Sequence, residues 1–230
     1  MLPTYNEAEN LPRMVQELLS LPVEGLSILV VDDDSPDGTG HLAEELARRF
    51  PGRVRVIHRK GKLGLGTAYV QGFQAALAGG ADYVVQMDCD FSHDPAIIPQ
   101  FIALMRDYDV VIGSRYAPGG RVDARWSKWR KVLSKAANIY ARLIAGIRVR
   151  DATGGFKCFR RRALEGLDLQ RIRSDGYAFQ VEMNYICQQR GYRIAEVPIT
   201  FADRLCGQSK MSMRIIREAM WRVWQIKWRY

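Results

Sequence analysis

Clustered metal-binding thiols are missing from this sequence of 230 residues. Its four cysteines, Cys89, Cys158, Cys187 and Cys206, stand far apart, with no Cys-x-x-Cys and no neighbouring His pair. That excludes a zinc site or a disulfide framework and fits a reducing compartment. Histidine is equally scarce, and His41, His58 and His93 are so isolated that each reads as structural or solvated. No run of about 18 apolar residues is present to span a bilayer, and no secretory leader is visible. The chain can therefore lie on a membrane but is not expected to cross one by itself. Neither a Gly-Lys-Ser/Thr ending nor Gly-x-Gly-x-x-Gly occurs, which excludes a P-loop and a dinucleotide fingerprint. The acidic stretch after residue 31 is no calcium loop either. An EF-hand needs Gly at its sixth position and Glu at its twelfth, where Asp37 and Ala43 stand.

What is present is an ordinary globular composition, 47% hydrophobic and 26% charged, long enough to bury a sizeable core. The net charge of +9 is unevenly spread. Residues 1–120 hold 10 Lys/Arg against 16 Asp/Glu, and residues 121–230 hold 24 against 9, so the halves carry −6 and +15. An acidic half beside a basic half points to an anionic partner: nucleic acid, an anionic membrane or a phosphorylated substrate. With no internal repeat or linker, one domain over 1–210 is expected, in halves 1–114 and 115–210, with 211–230 appended.

Strand and helix patterns alternate through the first half. Helical spacing over 7–19, with Asn6 or Thr4 as cap, is followed by apolar strands at 26–31, 53–58, 83–87 and 109–113. Helices are expected between them at 41–50, 67–78 and 96–106, which predicts a mostly parallel, doubly wound sheet. Ligands of such sheets gather at the carboxyl ends of the strands. Asp33 and the pair Asp88 and Asp90 lie at such ends. Asp33 is placed to accept hydrogen bonds from a base or ribose. Asp88-Cys89-Asp90 sets two like charges together, which is costly unless a cation sits between them. Hard oxygen ligands suit Mg²⁺ or Mn²⁺; the plain alternative is a solvated acidic turn. The glycine-rich basic segment 59–66 precedes a helix and could cradle an anion or serve as a connector.

Beyond residue 114 the alternation stops. A long helix is expected over 126–145, a tight loop over 151–157, a helix over 175–189 and a strand over 192–198. The last twenty residues form a candidate amphipathic helix bearing Trp221, Trp224 and Trp228 beside Arg214, Arg217, Arg222, Lys227 and Arg229. It suits either a headgroup boundary or docking on its own domain.

Taken in order, Pro3-Thr4-Tyr5-Asn6-Glu7, the 32–39 loop, Asp88-Cys89-Asp90, Gly113-Ser114-Arg115-Tyr116, Thr153-Gly154-Gly155-Phe156-Lys157, Gly176-Tyr177-Ala178-Phe179-Gln180 and Arg204-x-x-Gly-x-Ser209-Lys210 resemble glycosyltransferase family two. More narrowly they resemble its dolichyl-phosphate (polyprenyl-phosphate) mannosyltransferases. The resemblance implies a GT-A type fold, with a basic acceptor-side half and a C-terminal amphipathic helix. It implies inverting, metal-dependent transfer of mannose from GDP-mannose to a dolichyl or polyprenyl phosphate. By position, Pro3, Tyr5, Glu7, Val31 and Asp33 would hold the nucleotide, with Cys89 nearby. Asp88 and Asp90 would handle Mg²⁺ or Mn²⁺ and the diphosphate. Arg115, Arg204 and Lys210 would contact the sugar nucleotide and, with Asp90, serve catalysis. Arg115, Arg130 and Ser134 would meet the acceptor phosphate. Ser92 stands where some members place an additional Gln ligand.

The chemistry agrees. A leaving nucleoside diphosphate needs its negative charge neutralised, while a phosphate monoester, largely a dianion at neutral pH, needs no general base. Family members carry a strand before Pro3-Thr4, of which Met1-Leu2 is nearly all that remains, so most of one strand is expected to be missing. Many relatives continue into membrane spans; the end at Tyr230 matches the peripheral type, on the cytoplasmic face and held by its own surface or an anchoring partner subunit. Three rivals stand: another donor such as UDP-glucose, a basic nucleic-acid-binding protein, and a non-catalytic scaffold. The absence of spans favours mannose over the first. Against the second, the charge accompanies transferase motifs and no nucleic-acid module. The retained Asp88, Asp90, Arg204 and Lys210 weigh against the third.

Overall fold

A computed structural model describes residues 1–203 and the backbone of 213–230, with side chains of that last helix from 220 onward. Arg204 and Lys210, two of the expected site residues, lie outside the described residues.

The central sheet consists of two ladders. One has the parallel order β1 (Leu2–Thr4), β2 (Ile28–Asp32), β3 (Val54–His58). In the other, β4 (Tyr83–Gln86) and β5 (Val110–Ser114) both pair antiparallel with β7 (Lys157–Arg160), and β8 (Ile194–Pro198) runs parallel to β5. Met1 joins the ladders, its amino group donating to the Val85 carbonyl at 2.8 Å and its carbonyl accepting from Met87 N–H at 3.4 Å. A two-strand outrigger, β6 (Arg121–Val122) with β9 (Thr200–Phe201), stands beyond it. The strand expected to be mostly missing is thus present as three residues in full register with β2. The segment expected as a loop around 157 enters the sheet as β7, inserted between β4 and β5. Its Lys-Cys-Phe-Arg lacks the long apolar run that marks the neighbouring strands, so no local pattern announced it.

Alternation along each strand sorts side chains onto the two faces. Val110 and Ile112 join Phe159, Phe73 and Phe179 in one core, whereas Val111 joins Met87, Phe101, Phe156 and Cys158 in the other. The second core is closed by α1 (Leu11–Leu19), α2 (Thr39–Arg49) and α4 (Ile98–Leu104). The first is closed by α3 (Leu65–Ala78), α5 (Lys128–Ala145), α6 (Arg161–Glu165), α7 (Gly176–Gln189) and α8 (Met213–Arg229).

Helix α1 starts later than its apolar spacing predicts. Asn6 takes a positive φ of 61° and residues 6–10 form a turn, so neither Asn6 nor Thr4 caps it. The turn is zipped to the acidic loop instead: Asn6 N–H donates to Ser35 Oγ and Glu7 N–H to Thr39 Oγ1. Helix α5 has Ser127 as N-cap, accepting from Arg130 N–H at 3.2 Å, and ends at Gly146 in the left-handed conformation. Its buried positions are Asn138, Ala141 and Ala145. Trp129, Val132, Ile139 and Leu143 point outward, and Trp129 and Leu143 are 71% and 74% exposed. Helix α8 divides in the same way: Val223 and Ile226 enter the core, while Trp221 and Trp228 are 65% and 84% exposed.

Candidate active site

The carboxyl ends of β1, β2, β4 and β5 open on one edge of the sheet, and they carry Tyr5, Asp33, Asp88 and Arg115 there. The loop before β7 and the outrigger strand β9 reach the same edge.

After β2 the acidic turn is internally satisfied. Asp32 accepts from Thr4 Oγ1 at 3.0 Å and Ser35 Oγ at 2.6 Å; Asp37 accepts from Ala8 N–H and from Thr39. Asp33 is buried against the Arg59 guanidinium, which also donates to Thr67 Oγ1 and the Gly64 carbonyl. Burial raises the Asp33 carboxyl above its ordinary pKa, with Arg59 opposing. Lys62 lies 3.9 Å over the Tyr5 ring, so a cation and an aromatic face flank the expected base site. Pro3 is half-buried beside Val31 in the strand register. Val31 itself does not join the surface. It is fully buried with Leu29 and Ala68, because it points to the inward face of β2. The glycine-rich loop 61–66 is likewise no open anion cradle: Asp175, just before α7, accepts from Gly66 N–H at 2.7 Å and fills the start of α3.

The Asp88-Cys89-Asp90 turn is held from three sides. Tyr69 Oη donates to Asp88 Oδ1 at 3.2 Å, and Asp88 N–H donates to His93 Nδ1 at 3.2 Å. Asp90 Oδ1 accepts from Ser92 N–H at 3.0 Å. His93 is buried and stacked on Phe156, and burial lowers its pKa, so a neutral ring accepts that bond. Burial, followed by Asp88, pushes the Tyr69 hydroxyl far up, keeping it a donor. Cys89 turns into the core; burial raises its thiol well above the ordinary value, and its main chain alone is available to the site. The motif presents two carboxylates, and among the described residues no group of three or more His, Cys, Asp or Glu could close around a metal. The donor set fits a hard divalent ion that completes its shell with substrate oxygens. Beside it, the buried Ser92 Oγ has no hydrogen-bond partner among the described residues.

Arg115 does not stand free to meet a substrate, as its place after β5 suggests. Its Nε and Nη2 bind Asp151 at 2.8 and 2.7 Å in a bidentate pair, and Nη2 also donates to Thr153 Oγ1 at 2.8 Å. Burial works against both charges, but each raises the other's preference for the charged form: Asp151 is held below, and Arg115 above, its ordinary pKa. Nη1 is the nitrogen without a hydrogen-bond partner among the described residues.

Next to Arg115 a cavity of about 270 Å³ opens between β6 and α5. Arg121, Lys131 and Lys135 line it with Ser134, whose Oγ lies 2.8 Å from the Tyr116 hydroxyl. Among the described residues, no carboxylate lies within ion-pair distance of these three cations. Arg130, expected here, faces elsewhere: it pairs with Asp203 at 2.9 Å and stacks 3.8 Å over Trp126. Helix spacing does not separate them, since 130/134 and 131/134 are both neighbouring pairs on the helix surface; Asp203 and Trp126 draw the Arg130 guanidinium aside. Reading the sequence missed Tyr69, His93, Arg59 and Asp151. His93 offered the one local signal, its fixed place three residues after Asp90; the others come from distant segments.

This arrangement has known counterparts. A family model described as "Glycosyl transferase family 2" matches residues 1–168. The chain belongs to glycosyl transferase family 2. It is a glycosyltransferase, with the GT-A-like sheet and flanking helices of that family. It is 47% identical, over 100% of its length and 87% of the relative's, to the polyprenol monophosphomannose synthase of Mycolicibacterium smegmatis. Over 96% of its length and 89% of the relative's, it is 44% identical to the undecaprenyl-phosphate mannosyltransferase of Micrococcus luteus. Its fold is similar to that of glucosyl-3-phosphoglycerate synthase from Mycobacterium tuberculosis, solved with Mn²⁺, UDP and glucosyl-3-phosphoglycerate. The TM-score is 0.66 at 19% identity, covering 98% of this chain and 76% of the other. The same enzyme with Mg²⁺ and UDP aligns equally well, at a TM-score of 0.66.

Proposed function

We propose that this glycosyltransferase moves mannose from GDP-mannose to the phosphate of a polyprenol or dolichol, with inversion, at a membrane surface. The observation that carries the reading is the union, at one sheet edge, of the Asp88/Asp90 pair and a cavity of cations with no carboxylate beside them among the described residues, next to an outward apolar helix face. The two mannosyltransferase relatives support the sugar and the lipid class.

In this reading Asp88 and Asp90 hold Mg²⁺ or Mn²⁺, which when bound neutralises charge on the diphosphate leaving group. Tyr69, His93 and Ser92 keep the two carboxylates in place, so no reorganisation is needed as charge develops. Tyr5, Asp33 and Glu7 line the base and ribose side, with Pro3 and the Cys89 main chain behind. Arg204 and Lys210 keep their assigned role toward the diphosphate. Ser134, Lys131, Lys135 and Arg121 receive the acceptor phosphate, and Arg115 borders the same cavity. The acceptor oxygen attacks the anomeric carbon from the face opposite the departing diphosphate. Being already anionic, it gives up no proton, so no side chain need act as base. Catalysis is then positioning together with charge stabilisation.

The membrane part rests on surface character. No described helix is long and apolar enough to cross a bilayer. Yet α5 exposes Trp129, Val132, Ile139 and Leu143 on one stripe, and α8, packed beside it, exposes Trp221, Trp224 and Trp228. An apolar cleft of about 340 Å³ lies between them, lined by Tyr140, Met220, Trp221 and Trp224. A contiguous apolar patch with bordering cations and tryptophans suits a headgroup boundary, with the polyprenyl tail remaining in lipid. Attachment is peripheral, on the cytoplasmic face, alone or with an anchoring subunit; nucleic acid has no role.

The test incubates the protein with GDP-mannose, a polyprenyl phosphate and Mn²⁺ or Mg²⁺, and looks for β-linked mannosyl lipid. Product is expected, and EDTA should abolish it. Transfer from UDP-glucose alone would replace the donor, and transfer that survives EDTA would remove the metal role.

A further inference from the structure

The phenyl ring of Phe201, on the outrigger strand β9, touches groups belonging to both halves of the site. Its face receives the Arg115 guanidinium at 5.3 Å. His93 meets it in a T-shaped contact at 5.3 Å, and Trp126 does so at 5.7 Å. His93 is the ring that holds the Asp88 N–H, and Trp126 and Arg115 line the cationic cavity. The main chain repeats the connection. Ala202 N–H donates to the Ser92 carbonyl at 3.2 Å, and the Phe201 carbonyl accepts from Asp123 N–H at 2.9 Å, just before α5. Phe201 is half-buried and is a member of neither hydrophobic core.

We infer that Phe201 is a positioning residue shared by the two subsites, setting the Asp88-Cys89-Asp90 turn and the acceptor cavity in one geometry. The inference rests on the transferase reading above. A transfer between two bound partners depends on the separation and alignment of the reacting atoms, so a wedge common to both sites acts on the reaction without touching either substrate. Edge-on aromatic contacts hold two rings at fixed angles, which an aliphatic side chain of similar volume does not reproduce. Phe201 therefore keeps His93 square to Asp88 on one side and Trp126 against the mouth of the cavity on the other.

The experiment compares the full chain with Phe201→Leu, Phe201→Ala and Phe201→Tyr. Calorimetry measures binding of Mn²⁺ with GDP, and separately of a short polyprenyl phosphate; steady-state transfer and thermal melting are followed in parallel. Phe201→Leu should weaken both ligands and lower kcat, each by roughly the tenfold typical of groups that orient metal ligands. Melting should stay near the wild-type temperature, and Phe201→Tyr, which keeps the ring, should restore most of the loss. Weakening of one ligand alone, or equal loss in the Leu and Tyr variants, overturns the inference while leaving the transferase reading intact. Wild-type protein that binds neither GDP nor the polyprenyl phosphate overturns the transferase reading and this inference with it. If Phe201→Ala melts early, the Leu and Tyr pair still decides.

Discussion

Around Asp88 the carboxylates are held by hydrogen bonds from their neighbours, whereas around Ser134 three cations have no carboxylate beside them among the described residues. Asp32, Asp33, Asp37, Asp88 and Asp90 all accept hydrogen bonds from side chains or amides of the same chain. Lys131, Lys135 and Arg121 face a cavity with no carboxylate in ion-pair reach among the described residues, and the helix carrying two of them turns its apolar stripe to the outside. The contrast teaches what each region needs. A nucleotide and metal site gains from rigidity, because its ligands must be in place before charge develops. On the proposed reading the acceptor side is completed by an anionic, lipid-bearing partner, which would match its charges and apolar surface.

The sharpest break of this contrast is Asp90→Ala. If the held carboxylates are the metal site, mannosyl transfer falls by roughly a thousandfold while melting stays close to wild type; loss of one preorganised charge-stabilising group costs on this order. Activity within tenfold of wild type would mean that the ordered side is merely structural. On the unmatched side, Lys131→Ala combined with Lys135→Ala should raise the acceptor KM by about ten- to a hundredfold, the scale of charge-assisted hydrogen bonds, and leave the GDP-mannose KM unchanged. A change in the donor KM instead would erase the division between the regions. Trp221→Ser with Trp228→Ser is expected to weaken sedimentation with anionic liposomes severalfold without lowering the melting temperature, since both side chains are exposed. Undiminished binding would reject the lipid-facing role of α8.

The smallest expected effect concerns Lys157, buried behind the site with its Nζ donating to Gly154 carbonyl at 2.7 Å and to Gln180. Burial lowers its pKa from 10.5 to about 7. Between those values the folded chain binds fewer protons at this group than the unfolded chain, so its contribution to stability rises with pH across that window. Lys157→Met should remove that slope, at most about 1.4 kcal/mol per pH unit. Melting followed from pH 7 to pH 10 reads it; identical slopes in both proteins would show that Lys157 stays charged.

Much of the first half was legible before any coordinates. The apolar runs that became β2, β3, β4 and β5 were readable to within two residues at each end, and so were the aspartates beside them. Those signals are local: a buried strand needs consecutive apolar residues, and a strand end in a parallel sheet is where ligands gather. The second half was less readable for a reason visible in α5. Its apolar spacing marks one face, but spacing does not say whether that face meets a core or the outside. Strand β7 shows the same gap, since Lys157 and Arg160 bracket a strand buried by its two neighbours and not by its own composition.

Composition and motif order alone determined a mostly parallel α/β sheet, a carboxylate pair at a strand end, and a basic half suited to an anionic partner. Tertiary structure decided which of those charges are already spent. Arg115, which looks available in the sequence, is locked to Asp151 across 36 residues. Arg130 is turned to Asp203, while Lys131 and Lys135 have no carboxylate beside them among the described residues. The physical reason is that a charge's availability depends on what the fold brings within a few ångströms of it, and those partners come from strands and loops far away in the chain.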